Sequence, residues 1–235
     1  MEIKGKKALV FGGTSGIGLA TVAQLSDLGA AEVVAIGRNP DKVTELPANT
    51  IVKKCDVLDR KALQALFLEC GPIDILVSAA TGGDRAIGPF LDMDMDGYQA
   101  SFSKLWGYAN VVRYGLAQLS ESGAVVLVSG TPARVCRPGQ IALSSVGGAV
   151  EAFVRGMAKE IKPRRINTVC PGLIDTPMVA LKGEERDALY KNLTKDNLIP
   201  RAGLPHEVAQ GIIFAIQNNF VTGTTIDIDG GLLHA

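Results

Sequence analysis

Four glycines stand within seven residues, directly after the first apolar run of the chain, and three of them have a spacing that points to a chemical role. Gly12 and Gly16 are separated by three residues, and Gly16 and Gly18 by one. Glycines at such a turn let the backbone come close to a pyrophosphate, and the amides that open the next helix face its oxygens. The spacing therefore predicts a dinucleotide-binding turn. The other residues expected to face the phosphates are Thr14, Ser15 and Ile17.

The elements that would carry this turn alternate regularly along the chain. Short apolar runs, each typical of a buried strand, occupy residues 8–11, 32–36, 51–55, 73–77, 124–128, 165–170 and 224–228. Helical apolar spacing is clearest at residues 16–28, 92–120, 141–161 and 205–217. This alternation predicts an α/β fold: a single Rossmann-type domain over residues 1–235, with a doubly wound parallel sheet of about seven strands and helices on both faces. Ligands of such sheets bind at the carboxyl ends of the strands.

Charge and composition weigh against several classes of partner. Lysine plus arginine total 24, as do aspartate plus glutamate, so no net charge attracts nucleic acid or an anionic membrane. No run of apolar residues is long enough for a membrane span, and the 4 cysteines include no Cys-x-x-Cys pair. His206 and His234 are too far apart for a local metal motif. We therefore expect a cytoplasmic protein with reduced thiols, no metal and a small-molecule substrate.

Further motifs accompany the glycine turn. They are Cys55-Asp56-Val57, Asp74-Ile75-Leu76-Val77, the run from Arg165 to Gly172, Thr176, Arg201-x-Gly203-x-Pro205, and the segment from Thr222-Gly223 to Asp229-Gly230-Gly231. Together with the glycines they resemble the short-chain dehydrogenase/reductase family over essentially the whole chain. Phe11 departs from the family pattern, which opens the glycine motif with threonine.

The resemblance implies a nicotinamide dinucleotide cofactor and assigns residues to it. Asp56 and Val57 would hold the adenine. Ala79 and Ala80 would line the ribose and nicotinamide side, although Ser78-Ala79-Ala80-Thr81 replaces the family's Asn-Asn-Ala-Gly. The residues implied to hold the nicotinamide and its amide are Pro171, Gly172, Ile174 and Thr176.

The end of the second strand indicates which cofactor is preferred. An acidic residue there would hydrogen-bond the ribose 2′-hydroxyl and repel a 2′-phosphate. The chain has Gly37 at this position, followed by Arg38. Because a guanidinium can bind a phosphate bidentately, the pair predicts NADP(H). A solvated surface arginine is the alternative.

The family's chemistry is hydride transfer between the nicotinamide and a carbonyl or alcohol. The resemblance implies a tyrosine that exchanges the proton, a lysine four residues later, a serine thirteen residues before the tyrosine, and an asparagine in the fourth helix. Aligned through Glu151, Arg155 and Glu160, the asparagine, serine, tyrosine and lysine positions fall on Lys104, Gly130, Leu143 and Gly147. All four are changed, and no tyrosine of the chain is followed by lysine four residues later.

Two residues are candidates for the missing proton donor. Ser129 keeps a hydroxyl one residue before the lost serine, and the alternative is that it caps the strand end. Lys104 could extend from the fourth helix across the gap left by Gly147, or point to solvent. Tyr108 lies one turn from Lys104 on the same helix face, where packing is its ordinary role.

Two segments could contact the substrate. Arg134 and Arg137 follow the fifth strand and could bind an acidic group, with Cys136 between them as a possible reactive thiol, or they could form a solvated basic loop. Residues 177–200, punctuated by Pro177, Gly183 and Pro200, are expected to form a flexible lid.

Three functions remain open from the sequence. The first is an NADP(H)-dependent oxidoreductase with an altered proton relay, acting on a carbonyl, an alcohol or an activated double bond. The second is a cofactor-binding sensor or partner protein that has lost the chemistry, and the third is a non-redox enzyme that reuses the site. The resemblance further implies a homodimer or homotetramer that uses helices 92–120 and 141–161.

Overall fold

A parallel sheet forms the centre of the structure, a computed structural model that describes residues 1–43, 45–81 and 84–235. Its seven strands are β1 (Lys7–Phe11), β2 (Glu32–Gly37), β3 (Thr50–Lys54), β4 (Ile73–Ser78), β5 (Leu119–Val128), β6 (Arg165–Pro171) and β7 (Thr225–Ile228). Their order across the sheet is β3-β2-β1-β4-β5-β6-β7. The predicted α/β class with a doubly wound parallel sheet is confirmed.

Helices cover both faces of this sheet. They are α1 (Gly16–Asp27), α2 (Arg60–Cys70), α3 (Met95–Ser101), α4 (Ser103–Gly115), α5 (Ile141–Glu160), α6 (Gly183–Thr194) and α7 (Pro205–Gln217). On one face, α1 and α7 bury residues such as Val22 and Ile212 against the strands. On the other, α2, α4 and α5 bury residues such as Phe67, Val111 and Val150. Most strand residues are therefore buried from both sides, which explains why the strands read as continuous apolar runs.

The direction in which strands are added reverses at β1. From β1 the chain proceeds to β2 and β3 on one side, and β4 then pairs with the other side of β1. Phe11 lies opposite Ser78 in this pairing, so the loops after β1 and β4 meet at one edge. A doubly wound sheet has its ligand crevice at this point.

The predicted helix over residues 92–120 is wrong in its extent. Phe102 separates α3 from α4, because its amide bonds to the Gln99 carbonyl three residues back and so tightens the last turn of α3. After Gly115 the chain turns, and Leu119 already pairs with Ile73, so β5 begins five residues before the predicted strand at 124. A register shift between Ile73 and Ile75 accommodates this early pairing.

Among the described helices, α5 alone is long and apolar enough to cross a membrane by length and composition. Its residues Ala142, Val146, Val150 and Val154 are buried. A helix that packs into the core of an α/β domain has the same composition.

The segment predicted as a lid, residues 177–200, contains helix α6. Arg186 of α6 bonds to the Asp175 carboxylate and donates to the Thr176 carbonyl at 2.8 Å. Tyr190 also donates to Asp175, at 3.1 Å. These contacts fix α6 to the loop that follows β6. The opening and closing of the segment as a lid stays a prediction.

Arg165 at the start of β6 provides a test of this architecture. Its buried guanidinium donates to the carbonyls of Ala215, Ile216 and Val221 at 2.7, 2.6 and 3.0 Å, which satisfies groups at the end of α7. We expect Arg165→Met to lower the free energy of unfolding by about 3 kcal/mol, because buried carbonyls lose a charged donor. Urea unfolding measures this, with exposed Arg155→Met as the matched control. Equal stability of the two variants would contradict the assignment.

Candidate functional site

The turn after β1 is built on backbone contacts that exclude side chains. A Cβ at Gly12 would lie 2.9 Å from the Ala79 carbonyl carbon and the Ala80 nitrogen, and one at Gly18 would lie 2.1 Å from the Gly12 oxygen. The Ala79 amide donates to the Phe11 carbonyl at 2.9 Å, which holds the two loops together. Gly12 and Gly18 are therefore required by close packing, and the turn leaves its outer surface free for a ligand.

The start of α1 offers hydrogen-bond donors toward that surface. The first amides of a helix have no acceptor within the helix, and they carry the positive end of its dipole. Ser15 is the N-cap of α1, and its side chain forms no capping hydrogen bond. The turn thus presents free amides and a free hydroxyl, the combination that binds a phosphate.

The end of β2 is packed against the glycine turn. A Cβ at Gly37 would lie 2.3 Å from Thr14 Oγ1, so the Thr14 side chain takes the space that an acidic residue would need. Arg38 follows, is exposed, and forms none of the ion pairs within the described ranges. This wall of the cleft therefore presents the Arg38 guanidinium. It has no carboxylate at Gly37, the position where an acidic residue would favour a ribose 2′-hydroxyl over a 2′-phosphate.

All of the predicted cofactor-binding residues line one cleft of about 710 Å³, which we call the main cleft. They are Gly12, Thr14, Ser15, Gly16, Ile17, Gly18, Arg38, Asp56, Val57, Ala79, Ala80, Pro171, Gly172, Ile174 and Thr176. The cleft is large enough for a dinucleotide, and its turn and free amides fit one. The atom that each residue would hold stays a prediction.

The four positions to which the sequence alignment assigns the family's catalytic residues also meet in space. Lys104, Gly130, Leu143 and Gly147 all line a smaller cavity of about 60 Å³, which we call the side chamber. It adjoins the main cleft, and Arg85, Lys104, Ser129 and Leu143 are among the residues that line both. Ala142 and Val146 give the side chamber apolar walls.

Gly147 does not simply leave a void. A Cβ there would lie 2.9 Å from the Ala133 Cβ, because the single helical turn Thr131–Ala133 packs directly on α5. A lysine at position 147 would have to displace that turn. A Cβ at Gly130, by contrast, would meet only Pro132 Cδ at 3.6 Å, an ordinary contact. The packing therefore leaves no room for a side chain at Gly147 and leaves such room at Gly130.

Lys104 extends from α4 into this region. Its amine donates to the Ser129 carbonyl at 3.0 Å and lies 5.6 Å from the centre of the Tyr108 ring. Burial of the amine, together with the positive charge of Arg85, lowers the pKa of Lys104 to about 8. The amine can therefore exchange a proton near neutral pH, which an ordinary lysine does far less readily.

Tyr108 itself has a structural role. It is fully buried, and its hydroxyl donates to the Val128 carbonyl at 2.9 Å. Burial raises the pKa of Tyr108 further above its usual value. The phenol is thus poorly suited to exchange a proton, in agreement with the packing role expected from the sequence.

Ser129, the other candidate donor, belongs to a buried polar cluster. Its hydroxyl donates to Glu151 Oε1 at 3.3 Å, and the Arg134 Nε lies 3.6 Å from the same oxygen. Arg134 also forms an ion pair with Asp227. Burial raises the pKa of the nearby Cys170 thiol, while Ser129 and Arg134 act on it in the opposite direction. This cluster joins β5, α5, β6 and β7 below the main cleft.

The cluster changes the interpretation of the basic loop. Arg134 is neutralised by Asp227 and Glu151 and is no free anion ligand. Arg137 lines the main cleft and donates weakly to the Leu193 carbonyl at 3.4 Å. All four cysteines are free, and Cys136 is the exposed one.

Arg85 is the site residue that sequence reasoning missed. It lines both the main cleft and the side chamber, and burial lowers its pKa. A lone arginine in the loop after β4 resembles any surface arginine, and no motif includes it. Its place after β4, at the crevice edge of the sheet, is the one signal that could have identified it.

Comparison with known proteins agrees with this geometry. A family model described as Enoyl-(Acyl carrier protein) reductase matches residues 12–233. Carbonyl reductase family member 4 of Danio rerio is 32% identical over 96% of this chain and 97% of its own. A solved small-chain dehydrogenase in complex with NADPH superposes with a TM-score of 0.83 at 28% identity, covering 98% of this chain and 99% of its own. A short chain oxidoreductase from Pseudomonas aeruginosa PAO1, described as containing an atypical catalytic center, gives a TM-score of 0.87 at 27% identity, covering 99% of this chain and 98% of its own. The chain therefore belongs to the short-chain dehydrogenase/reductase family of nicotinamide-dependent oxidoreductases.

Proposed function

We propose that this chain is an NADP(H)-dependent reductase in which the Lys104 ammonium takes the place of the family's tyrosine as proton donor. The observation that carries the proposal is the position of the amine. It lies in the wall of the main cleft, beside the side chamber that Gly130, Leu143 and Gly147 also line. Its pKa of about 8 makes it an effective acid at neutral pH.

A proton donor is needed because hydride addition to a carbonyl leaves an oxyanion. A positioned general acid contributes roughly 10²- to 10⁴-fold to the rate of such a step. Leu143 has no proton to give, the Tyr108 hydroxyl is bonded to a main-chain carbonyl, and the Ser129 hydroxyl is bonded to Glu151. Among these candidates, Lys104 alone lines both cavities and keeps N–H donors that no described hydrogen bond uses, because its ammonium has three donors and one described acceptor.

The chain's own residues would hold the cofactor at three points. The amides at the start of α1 and the Ser15 hydroxyl would bind the pyrophosphate, and Asp56 with Val57 would bind the adenine. The loop from Pro171 to Thr176 would face the nicotinamide. Bound NADPH would supply the hydride, and Lys104 would supply the proton and recover it from solvent.

The preference for NADP(H) is supported by the wall at Gly37 and Arg38. No carboxylate stands at Gly37 to repel a 2′-phosphate, and Arg38 is exposed on the cleft without an ion-pair partner in the part of the chain that the structure describes. One structural relative is described as an NADPH complex.

The cofactor preference is tested with Arg38→Gln. We expect the wild type to bind NADPH at least about tenfold more tightly than NADH, and we expect Arg38→Gln to remove most of that difference. Calorimetric titration gives both affinities, with exposed Arg60→Gln as the matched control. Gly37→Asp is less informative, because its side chain would collide with Thr14. Equal affinities of the wild type for the two cofactors would contradict the assignment.

The role of Lys104 is tested by its pH profile. At saturating NADPH, kcat/KM should be flat below about pH 8 and fall above it, because only the protonated amine can donate. The two charged groups that act on the pKa of Lys104 do not produce this fall: burial raises the pKa of Cys170, and Arg85 stays charged.

The decisive variant for this profile is Lys104→Arg. It keeps a positive charge and removes the titratable acid, so we expect a roughly 10²- to 10⁴-fold lower kcat with NADPH affinity retained and the fall near pH 8 gone. Lys104→Arg with full turnover would show that the proton comes from another group.

The family model favours a second candidate reaction at the same site. Its description as an enoyl reductase points to an activated carbon–carbon double bond as the hydride acceptor. A panel of carbonyl compounds and α,β-unsaturated thioesters, each with NADPH, separates the two. Binding of NADPH without turnover of any panel member would favour a cofactor-binding protein that has lost the chemistry.

A further inference from the structure

We propose that the side chamber binds a carboxylate group of the substrate, with Arg85 as its main ligand, so that the substrate is an oxo acid. This deepens the proposed reductase function and rests on it for the carbonyl. The binding of the carboxylate is a separate claim and can be tested without turnover.

Two cationic side chains, Arg85 and Lys104, line the side chamber. Neither takes part in any salt bridge between described residues, whereas Arg134, Arg186 and Arg201 each pair with a carboxylate. The described partner of the Lys104 amine is the Ser129 carbonyl, and the described partner of Arg85 is the Met178 sulfur. Both partners are neutral.

The described residues that line the side chamber do not balance these charges. The described lining of the side chamber contains no aspartate or glutamate. The acid that lines the main cleft, Asp56, accepts a hydrogen bond from the Leu58 amide of its own loop at 2.9 Å. Glu151 and Asp227 are taken by Arg134.

Physical chemistry makes such an arrangement unfavourable without an anion. A buried charge that lacks a counter-charge, such as that of Lys104, is costly, and the like charge of the partly buried Arg85 beside it adds to that cost. The field of Arg85 reaches Lys104, since it contributes to the lowered pKa of the amine. A bound anion would reduce both the cost of the buried charge and the repulsion between the two cations. Arg85 and Lys104 are therefore preorganised to bind an anion.

The size and lining of the side chamber favour a small anion on the substrate. Its volume of about 60 Å³ compares with about 10–15 Å³ for one water, so it holds a group of a few atoms. Its other side chains are mainly apolar, including Pro132, Ala142 and Val146. The hydroxyls of the two lining serines, Ser101 and Ser129, already donate within the protein, to the Gly97 carbonyl and to Glu151. Such walls give a neutral polar group little to bond to and strengthen the attraction between a carboxylate and Arg85.

The proposed reaction balances in this arrangement. The hydride adds to the carbonyl carbon of the oxo acid and the Lys104 ammonium protonates the carbonyl oxygen. The product is a hydroxy acid with its carboxylate unchanged, and NADPH leaves as NADP⁺. The neutral amine then takes a proton from solvent. With the carboxylate held by Arg85, the proton of Lys104 remains available for the carbonyl oxygen.

The test compares acids with their uncharged esters. Protein loaded with NADP⁺, which has no hydride to transfer, is titrated calorimetrically with acetoacetate and 2-oxobutanoate and with the methyl ester of each, so that binding is measured without turnover. We expect each acid to bind at least about tenfold more tightly than its ester, which corresponds to about 1.4 kcal/mol. Arg85→Gln should abolish this preference, and Arg85→Lys should retain part of it. Exposed Arg155→Gln is the matched control, and melting temperature and NADPH affinity verify folding.

The outcomes separate this inference from the proposed function. Acids that bind more tightly than esters in an Arg85-dependent way, yet are not reduced, would support the carboxylate site and overturn the reductase. If the protein reduces acid and ester and binds the two with equal affinity, the reductase function is supported and the carboxylate site is overturned. Loss of the preference in Arg137→Gln but not in Arg85→Gln would place recognition at the cleft mouth and overturn the inference, as would no detectable binding of either acid.

Discussion

The buried amine of Lys104, held by the Ser129 carbonyl without a carboxylate partner among the described residues, constrains the rest of the site. A charge in this position is costly, so it must be supported by its surroundings. The Tyr108 ring lies 5.6 Å from the amine, and the Tyr108 hydroxyl is fixed to β5. Lys104 thereby connects α4 to the carboxyl end of β5, where the crevice of the sheet opens. Its lowered pKa is the chemical consequence of the same enclosure.

The sheet topology places this amine beside a dinucleotide cleft. Pairing of β1 with β4 brings the glycine turn against Ala79 and Ala80, and the contact is so close that Gly12 cannot carry a side chain. On the other side of β4, β5 ends at Val128, and Ser129 and Gly130 follow it. The glycine turn and the Lys104 amine thus lie along one edge of the sheet. Their relative position is set by main-chain hydrogen bonds between neighbouring strands.

Much of this architecture was predictable from sequence, because it depends on backbone patterns. Seven apolar runs with β-α alternation predict the sheet. The closely spaced glycines from Gly12 to Gly18 predict the turn at the cleft, because a side chain at Gly12 or Gly18 would collide with the backbone. Helix 92–120 was mispredicted because no proline or glycine marks the break at Phe102, where one amide changes its bonding partner. The paired state of Arg134 could not be foreseen, since Asp227 lies on β7, 93 residues away along the chain. Arg85 was missed for the same reason. It is recognised as a site residue only because Lys104, from another element, lines the same cavity.

The Lys104 amine is buried without a counter-charge from the described residues. This burial is tested most directly by how the effect of Lys104→Met on the free energy of unfolding depends on pH. The urea unfolding free energies of wild type and Lys104→Met are compared from neutral pH to about pH 10. Below about pH 8 the amine is charged in both folded and unfolded states, so the wild type carries the full cost of burial. Between about 8 and the unfolded value of about 10.4, the folded state releases its proton first, so the wild type becomes more stable with rising pH. We expect the stability of Lys104→Met relative to the wild type to fall steadily over that range. A difference that does not change with pH would show that the amine has an ordinary pKa and would contradict the account.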